Sequence, residues 1–379
     1  MSEYKKYVEV TEKLKKFSYF PDSYIKYIAT KMFDEKVRLS HPLMITWDLV
    51  NYCNLSCKFC SASASNFKCN SKLENYQEII KFIKTSNAIY VTLRGGEPTI
   101  HLNFVEILNS FLDWNGFLEI VTNGSGINED VVNALRKFNQ DKLRVKVSLD
   151  SSDKIINDNH RSIGSFKYAT NAIALLSKNN IKNIRVQAVA SEKTIDGIFS
   201  LYKYLHKYNI NSFGVSYCTP TGLAKNLKQQ MTSSELIRQM DLCIKYYEQE
   251  GKIQLEKNHL GYWQSNCEDL DVTSALIANK KFRVKCGAGK WKLNIDADGS
   301  IYPCDFLKFS NFKIGNVNNN IKEIWNSHIL LELYLVNREN KLECSKCNNK
   351  SCTTGCMGLA FEKFGSIYRR DPNCGYIDE

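Results

Sequence analysis

Two rhythms of apolar residues alternate along this chain. Six short runs, at 43–50, 88–94, 117–122, 143–149, 184–190 and 212–217, are rich in β-branched and aromatic residues and too short for helices. Between them, stretches such as 73–86, 101–114 and 165–179 place apolar residues every three or four positions, the spacing of a helix with one buried face. Strict alternation of strand and helix predicts an α/β fold, with βα units around a parallel sheet that is open or closed into a barrel. In such folds the chemistry sits at the C-terminal ends of the strands. Residues 1–42 read as one or two amphipathic helices, and a further helix is predicted over 232–247, after which the alternation stops. From Cys286 onward the elements become short and the chain turns Gly-, Asn- and Cys-rich. The predicted organisation is a helical segment at 1–42, an α/β core at 43–225, a helical bridge at 226–285 and a cysteine-rich unit at 286–379.

Composition narrows the compartment more than the fold. Hydrophobic residues make up 43% of the 379 and charged ones 24%, which describes an ordinary globular protein. No stretch approaches the roughly 18 consecutive apolar residues of a membrane span. The first residues alternate charges with isolated apolar positions and lack the apolar centre of a signal peptide. The expectation is a cytoplasmic protein with no membrane partner. Disulfides are rare there, so closely spaced cysteines point to metal binding or redox chemistry. A net charge of +11 would suit an acidic partner such as nucleic acid. The lysines are scattered, however, which speaks for a solvated surface and against nucleic acid.

Cysteines carry the chemistry. Cys53-x3-Cys57-x2-Cys60 follows the first predicted strand and offers three thiolates from one loop. A structural zinc site normally closes with four ligands from paired knuckles. Three thiolates leave one position of a cubane cluster open; packed or oxidised thiols are the bland alternative. Gly95-Gly96-Glu97-Pro98 follows the second strand, Asn123-Gly124 the third, and Ser148-Leu149-Asp150 ends the fourth. Adjacent glycines let the backbone come close to a ligand. Glu97 can accept a cation, or simply favour a helix N-terminus as an anion. A second group, Cys286, Cys304, Cys344, Cys347, Cys352, Cys356 and Cys374, puts seven cysteines in 89 residues; two four-cysteine zinc sites would be its bland reading. Cys69, Cys218 and Cys243 stand alone and read as small buried hydrophobes.

The first spacing, with Phe59 before its last cysteine, resembles the radical S-adenosylmethionine (SAM) superfamily. That resemblance covers about residues 43–225 and implies a partial (β/α)6 TIM-like barrel. It further implies a [4Fe–4S] cluster on Cys53, Cys57 and Cys60 whose open iron is chelated by SAM. One electron then releases a 5′-deoxyadenosyl radical that abstracts hydrogen from a substrate. Phe59, Gly95, Gly96 and Asn123 fall on family positions at the cofactor. Glu97 would meet the methionine ammonium, Ser148 the methionine or ribose, and Arg161, from Asn159-His160-Arg161, the SAM carboxylate. Residues 220–224 resemble a loop near the adenosine.

The second group is similar to the SPASM extension of that superfamily, which carries two auxiliary [4Fe–4S] clusters. Carried over, Cys344, Cys347, Cys352 and Cys374 would bind the distal cluster, and Cys286, Cys304 and Cys356 the nearer one. The spacing from Cys347 to Cys352 is one residue shorter than usual. The nearer set is one ligand short, and Cys267 is the nearest remaining thiol. Asp305, directly after Cys304, resembles the general base of anaerobic sulfatase-maturing enzymes; an aspartate that only hydrogen-bonds around the cluster is the equal alternative. The unlike N-terminal segment and the missing extra cysteine argue against that particular assignment.

Three functions follow. The first is an oxidoreductase-type enzyme that crosslinks, epimerises or oxidises a peptide or protein side chain. The second acts on a small molecule such as an aminocyclitol or sugar. The third is a non-catalytic iron–sulfur or zinc protein, which would have no need of a SAM pocket. Peptide stands ahead of small molecule, although 42 residues before the first strand are few for the peptide-recognition domain of many relatives. A flavodoxin or ferredoxin is the implied reductant. Tyr262, Trp263 and Trp291 would either line a substrate pocket or pack.

Overall fold

The computed structural model describes residues 38–64, 76–219, 221–226, 233–257, 286–347, 355–372 and 374. Six strands, β1 (Met44–Val50), β2 (Tyr90–Gly95), β3 (Phe117–Thr122), β4 (Leu143–Ser148), β5 (Ile184–Ala190) and β6 (Ser212–Tyr217), lie side by side and parallel. The connections hold helices α1 (Tyr76–Thr85), α2 (Phe104–Asn109), α3 (Glu129–Arg136), α4 (Lys154–His160), α5 (Ser165–Lys178) and α6 (Ile198–Leu205). The starts of α3 and α4 are written locally. Asn128 accepts a hydrogen bond from the Val131 amide, and Asp153 accepts from those of Ile155 and Ile156, satisfying N–H groups that a helix leaves open. This is the α/β class that the alternation predicts.

The alternation runs one strand further than predicted. Helix α7 (Ser233–Glu250) ends at Gly251, which adopts φ +65°, and β7 (Gln254–Lys257) then joins β6 in parallel. Four residues with one large apolar side chain, Leu255, are too short for a periodic signal. At the opposite edge, the region expected to be loop-like supplies β8 (Lys292–Ile295), β9 (Ser300–Tyr302) and β10 (Gly315–Asn316). Strand β8 pairs parallel with β1, and β9 turns back antiparallel. The sheet thus has ten strands in the order β10-β9-β8-β1-β2-β3-β4-β5-β6-β7. Helices α8 (Ile321–Trp325), α9 (His328–Leu335) and α10 (Met357–Phe364) follow.

Side chains on successive strand residues point to opposite faces. One face presents Ile45, Trp47, Leu93, Ile120, Val145, Val147, Val186 and Leu293, all buried and packed with the helices into the core. Each such side chain stabilises the fold by about 1.5–3 kcal/mol. The registered neighbours on the other face are polar: Asp48 beside Arg94, Glu119 beside Arg144, Lys146 beside Arg185, and Thr46 beside Asn294. A parallel sheet covered on both sides would be apolar on both, so this polar face is the interior of a partly closed barrel. Trp291 is buried and its carbonyl accepts from the Leu43 and Met44 amides, so it packs rather than lines a pocket. Tyr262, Trp263, Cys69, Cys267, Cys352 and the predicted helices of residues 1–37 lie outside the described residues. Among the described residues no helix is long and apolar enough to cross a membrane.

Candidate active site

Strand β1 feeds directly into the loop that carries Cys53, Cys57 and Cys60. The loop closes on itself through Cys60 N–H donating to the Cys57 carbonyl at 3.1 Å. The segment after β6 packs on it: the Leu223 amide donates to the Cys60 carbonyl at 3.0 Å. Gly222, at φ +57°, lies where a Cβ would stand 2.6 Å from that carbonyl oxygen.

The two glycines at the end of β2 approach protein backbone closely. A Cβ on Gly96 would lie 1.8 Å from the Tyr52 carbonyl oxygen, and one on Gly95 2.2 Å from that of Val50. Without side chains there, Gly96 N–H reaches the Val50 carbonyl at 2.7 Å and Glu97 N–H the Tyr52 carbonyl at 3.0 Å. Glu97 is thereby locked to the entry of the cysteine loop.

The Glu97 carboxylate is 1% exposed. It accepts from the Thr99 amide (3.1 Å), Thr99 Oγ1 (2.5 Å), Thr122 Oγ1 (2.6 Å) and the Asn123 amide (2.6 Å). It also caps a short turn, Pro98–Ile100, so the bland reading is present too. Every donor is neutral, and among the described residues no cation pairs with it. Burial raises its pKa, against which the four hydrogen bonds work only in part. Asn123 continues the contact: its side-chain amide donates to Asn54 Oδ1 at 3.0 Å and lies 3.6 Å from Cys53 Sγ.

At the end of β4, Asp150 rather than Ser148 organises the structure. Its buried carboxylate meets His160 Nδ1 at 2.7 Å and two guanidinium nitrogens of Arg161 at 2.8 and 2.7 Å, and accepts from the Val189 amide at 2.8 Å. Burial disfavours its charge, yet Arg161 and His160 hold its pKa below the ordinary aspartate range. Phe59 is stacked on His160 at 4.2 Å between ring centroids, with the Arg161 guanidinium 5.3 Å from its own centroid. Arg161 is therefore buried beside the cysteine loop with Asp150 as its counter-ion. Ser148 lies half-buried on the polar face.

Three cysteines of the second group, Cys286, Cys304 and Cys356, come within range of one another's charge. Burial pushes the Cys356 thiol up to about 12 and Cys304 well above its usual value. Helix α10, which starts after Cys356, packs on the turn after Cys304: a Cβ on Gly358 would lie 2.4 Å from the Phe306 carbonyl oxygen. Cys344 and Cys347 share a tight turn, and Cys374 N–H donates to the Asp371 carbonyl at 3.0 Å.

Comparison with known proteins agrees with this division. Residues 47–198 match the radical SAM superfamily, and residues 286–349 match the SPASM iron–sulfur cluster-binding domain. The chain thus carries a radical SAM domain followed by a SPASM domain. Among its relatives, the mycofactocin maturase MftC of Mycobacterium ulcerans is 25% identical over 342 residues, covering 89% of this chain and 88% of that one. A cysteine-type anaerobic sulfatase-maturating enzyme of Clostridium novyi is 26% identical over 333 residues, covering 80% and 84%. Streptococcus suis SuiB bound to S-adenosylmethionine superposes with a TM-score of 0.74 at 21% identity, over 94% of this chain and 82% of that one. The radical SAM and SPASM domains bring [4Fe–4S] clusters and SAM as cofactors.

The residues present fit those groups. Burial, with repulsion from Glu97 and the neighbouring thiols, pushes Cys53 up to about 12, and burial likewise raises Cys57. Thiolates in such a place need a cationic centre to be stable. Among the described residues no three Cys, His, Asp or Glu side chains are close enough to share one ion; a cubane cluster asks for thiolates on separate irons.

Asp305 departs from the base reading. Lys292 Nζ stands 2.5 Å from its Oδ1 and Arg94 Nη1 3.0 Å from its Oδ2. Burial opposes its charge most, but Arg94 and then Lys292 outweigh it and hold the carboxyl far below the usual range. A general base works best with a pKa near the working pH. The geometry instead makes Asp305 an ion-pair partner of Arg94 and Lys292, next to Cys304 in the chain. Arg94 Nε also meets Asp48 Oδ1 at 2.7 Å, while Lys308 Nζ joins Asp48 (3.0 Å) to Asp296 (2.9 Å). Sequence reasoning missed Arg94, Asp48, Lys292, Asp150 and His160. A signal for the strand residues was present: charges at alternate positions of strands otherwise apolar.

Proposed function

We propose that this protein is a radical SAM/SPASM enzyme that modifies a side chain of a peptide or protein. The single observation that carries the chemistry is the hydrogen-bonded set at the ends of β1, β2 and β3, where a buried carboxylate with only neutral partners stands beside a three-thiol loop. The match to the mycofactocin maturase over nine-tenths of the chain, with a subtilosin bacteriocin biosynthesis protein among the other relatives, supports this reading of the substrate class.

When bound, the reduced cluster and SAM supply a radical that removes hydrogen from the substrate. The chain's own contribution is placement. Cys53, Cys57 and Cys60 would hold the cluster, and Glu97 would meet the SAM ammonium, completing its charge balance. Gly95 and Gly96 fix Glu97 against the loop, Asn123 bridges Glu97 to Cys53, and Phe59, Arg161 and Ser148 line the same end of the sheet. Cys286, Cys304 and Cys356 would hold one auxiliary cluster, and Cys344, Cys347, Cys352 and Cys374 the other. For an oxidative outcome, auxiliary clusters held by these cysteines would offer an acceptor for the second electron, and a flavodoxin or ferredoxin would deliver the first.

The test uses anaerobically reconstituted protein, SAM and a strong reductant with size-separated extracts of the producing cell. Release of 5′-deoxyadenosine above background should rise with the peptide fraction and fall after protease treatment. Stimulation only by a protease-resistant small-molecule fraction would overturn the peptide reading in favour of a metabolite.

A further inference from the structure

The charge network on the polar face crosses from one cysteine group to the other. Arg94 immediately precedes the glycines locked to the entry of the Cys53 loop, and its side chain reaches Asp305, the residue after Cys304. Lys292, at the start of β8, closes on the same carboxylate from the other side. The side chains of Arg94, Lys292 and Asp305 are 26%, 25% and 16% exposed, so solvent screens them only in part. Buried ion pairs of this kind are a poor means of stabilising a fold, because desolvation offsets most of their attraction. Their position suggests another use: Asp305 and Lys292 both act electrostatically on the Cys304 thiol, with opposite signs.

We infer that Lys292 and Asp305 set the reduction potential of the cluster held through Cys304, and that Arg94 is the positioning residue that keeps Asp305 in place. The inference rests on the reading that Cys304 ligates an auxiliary cluster. Reduction adds negative charge to a cluster. A neighbouring cation therefore stabilises the reduced form and raises the potential, and a neighbouring anion lowers it. Because Asp305 lies directly after the ligand and Arg94 one ion pair further away, the two should differ in size of effect.

The test is an EPR-monitored redox titration of the anaerobically reconstituted full chain, reading the signal that Cys304→Ala removes. Lys292→Gln should shift that signal to lower potential and Asp305→Asn to higher. Arg94→Gln should give a smaller downward shift, and the double variant Lys292→Gln/Asp305→Asn should return towards wild type. Lys292→Arg and Arg94→Lys, which keep the charge, should stay near wild type and serve if the neutral variants fold poorly. Shifts of one sign in all variants, or none with the signal intact, would overturn the inference. Full iron content and an unchanged spectrum in Cys304→Ala would instead overturn the underlying ligand assignment.

Discussion

Glu97, buried, and Asp305, mostly buried, are both carboxylates near cysteines, yet their surroundings are opposite. Four neutral donors hold Glu97, and its pKa is raised. Two cations hold Asp305, and its pKa is lowered. The first is a carboxylate that no cation balances among the described residues, which is what a site for a cationic ligand requires. The second already has its counter-ions and belongs to the framework. Burial alone therefore identifies neither a binding carboxylate nor a base; the charge of the partners does.

The strongest way to break the Glu97 half is Gly96→Ala, which puts a methyl group 1.8 Å from the Tyr52 carbonyl oxygen and must displace the backbone before Cys53. Iron analysis should show loss of the first cluster, and SAM cleavage should vanish while auxiliary iron remains. Iron and cleavage at wild-type levels would mean that the close approach has no role in the site.

Glu97→Gln tests the charge with the shape kept. Loss of a charge-assisted hydrogen bond, on the order of 1.5–3 kcal/mol, should weaken SAM binding about 10- to 100-fold. Because the raised pKa means that burying the ionised group opposes folding, melting should change little. Asp305→Asn should do the reverse. SAM affinity should hold, while denaturant unfolding should show about 3 kcal/mol less stability, the lower end of breaking a buried pair because some exposure remains. Equal melting losses in the two variants would erase the contrast.

The smallest effect concerns pH. If Glu97 meets SAM as proposed, binding favours the carboxylate, so affinity should fall as pH drops through the raised pKa, at a pH above the ordinary glutamate range. Equilibrium titrations of wild type and Glu97→Gln would show it, since the variant should lack that step. Asp305 has the opposite linkage: its stabilising contribution is present above the ordinary aspartate range and is lost as pH falls towards its depressed value.

The six parallel strands were legible from the chain because each is long enough to show its apolar rhythm and is bounded by a helix of different period. The three thiols of the first loop and the Glu97 motif were legible as groups because their members are neighbours in sequence; the chemistry expected of them came from the resemblance to radical SAM enzymes. Strands β7 and β10 were not, since four and two residues hold no periodic signal. Nor was the use of the glycines, which depends on what lies opposite them, nor the role of Asp150, whose partners His160 and Arg161 are 10 and 11 residues away.

What the sequence determined by itself was local: which segments are strand or helix, which cysteines share a loop, and that a carboxylate follows two glycines. Only the tertiary structure decided what surrounds each charge. Arg94 and Asp305 are 211 residues apart, and Asp48 and Lys308 260 apart. Their meeting depends on β8 adding to the free edge of β1, a pairing between backbones that local side-chain pattern does not specify. Electrostatic character is a property of separation and burial, and both are created only when the sheet assembles.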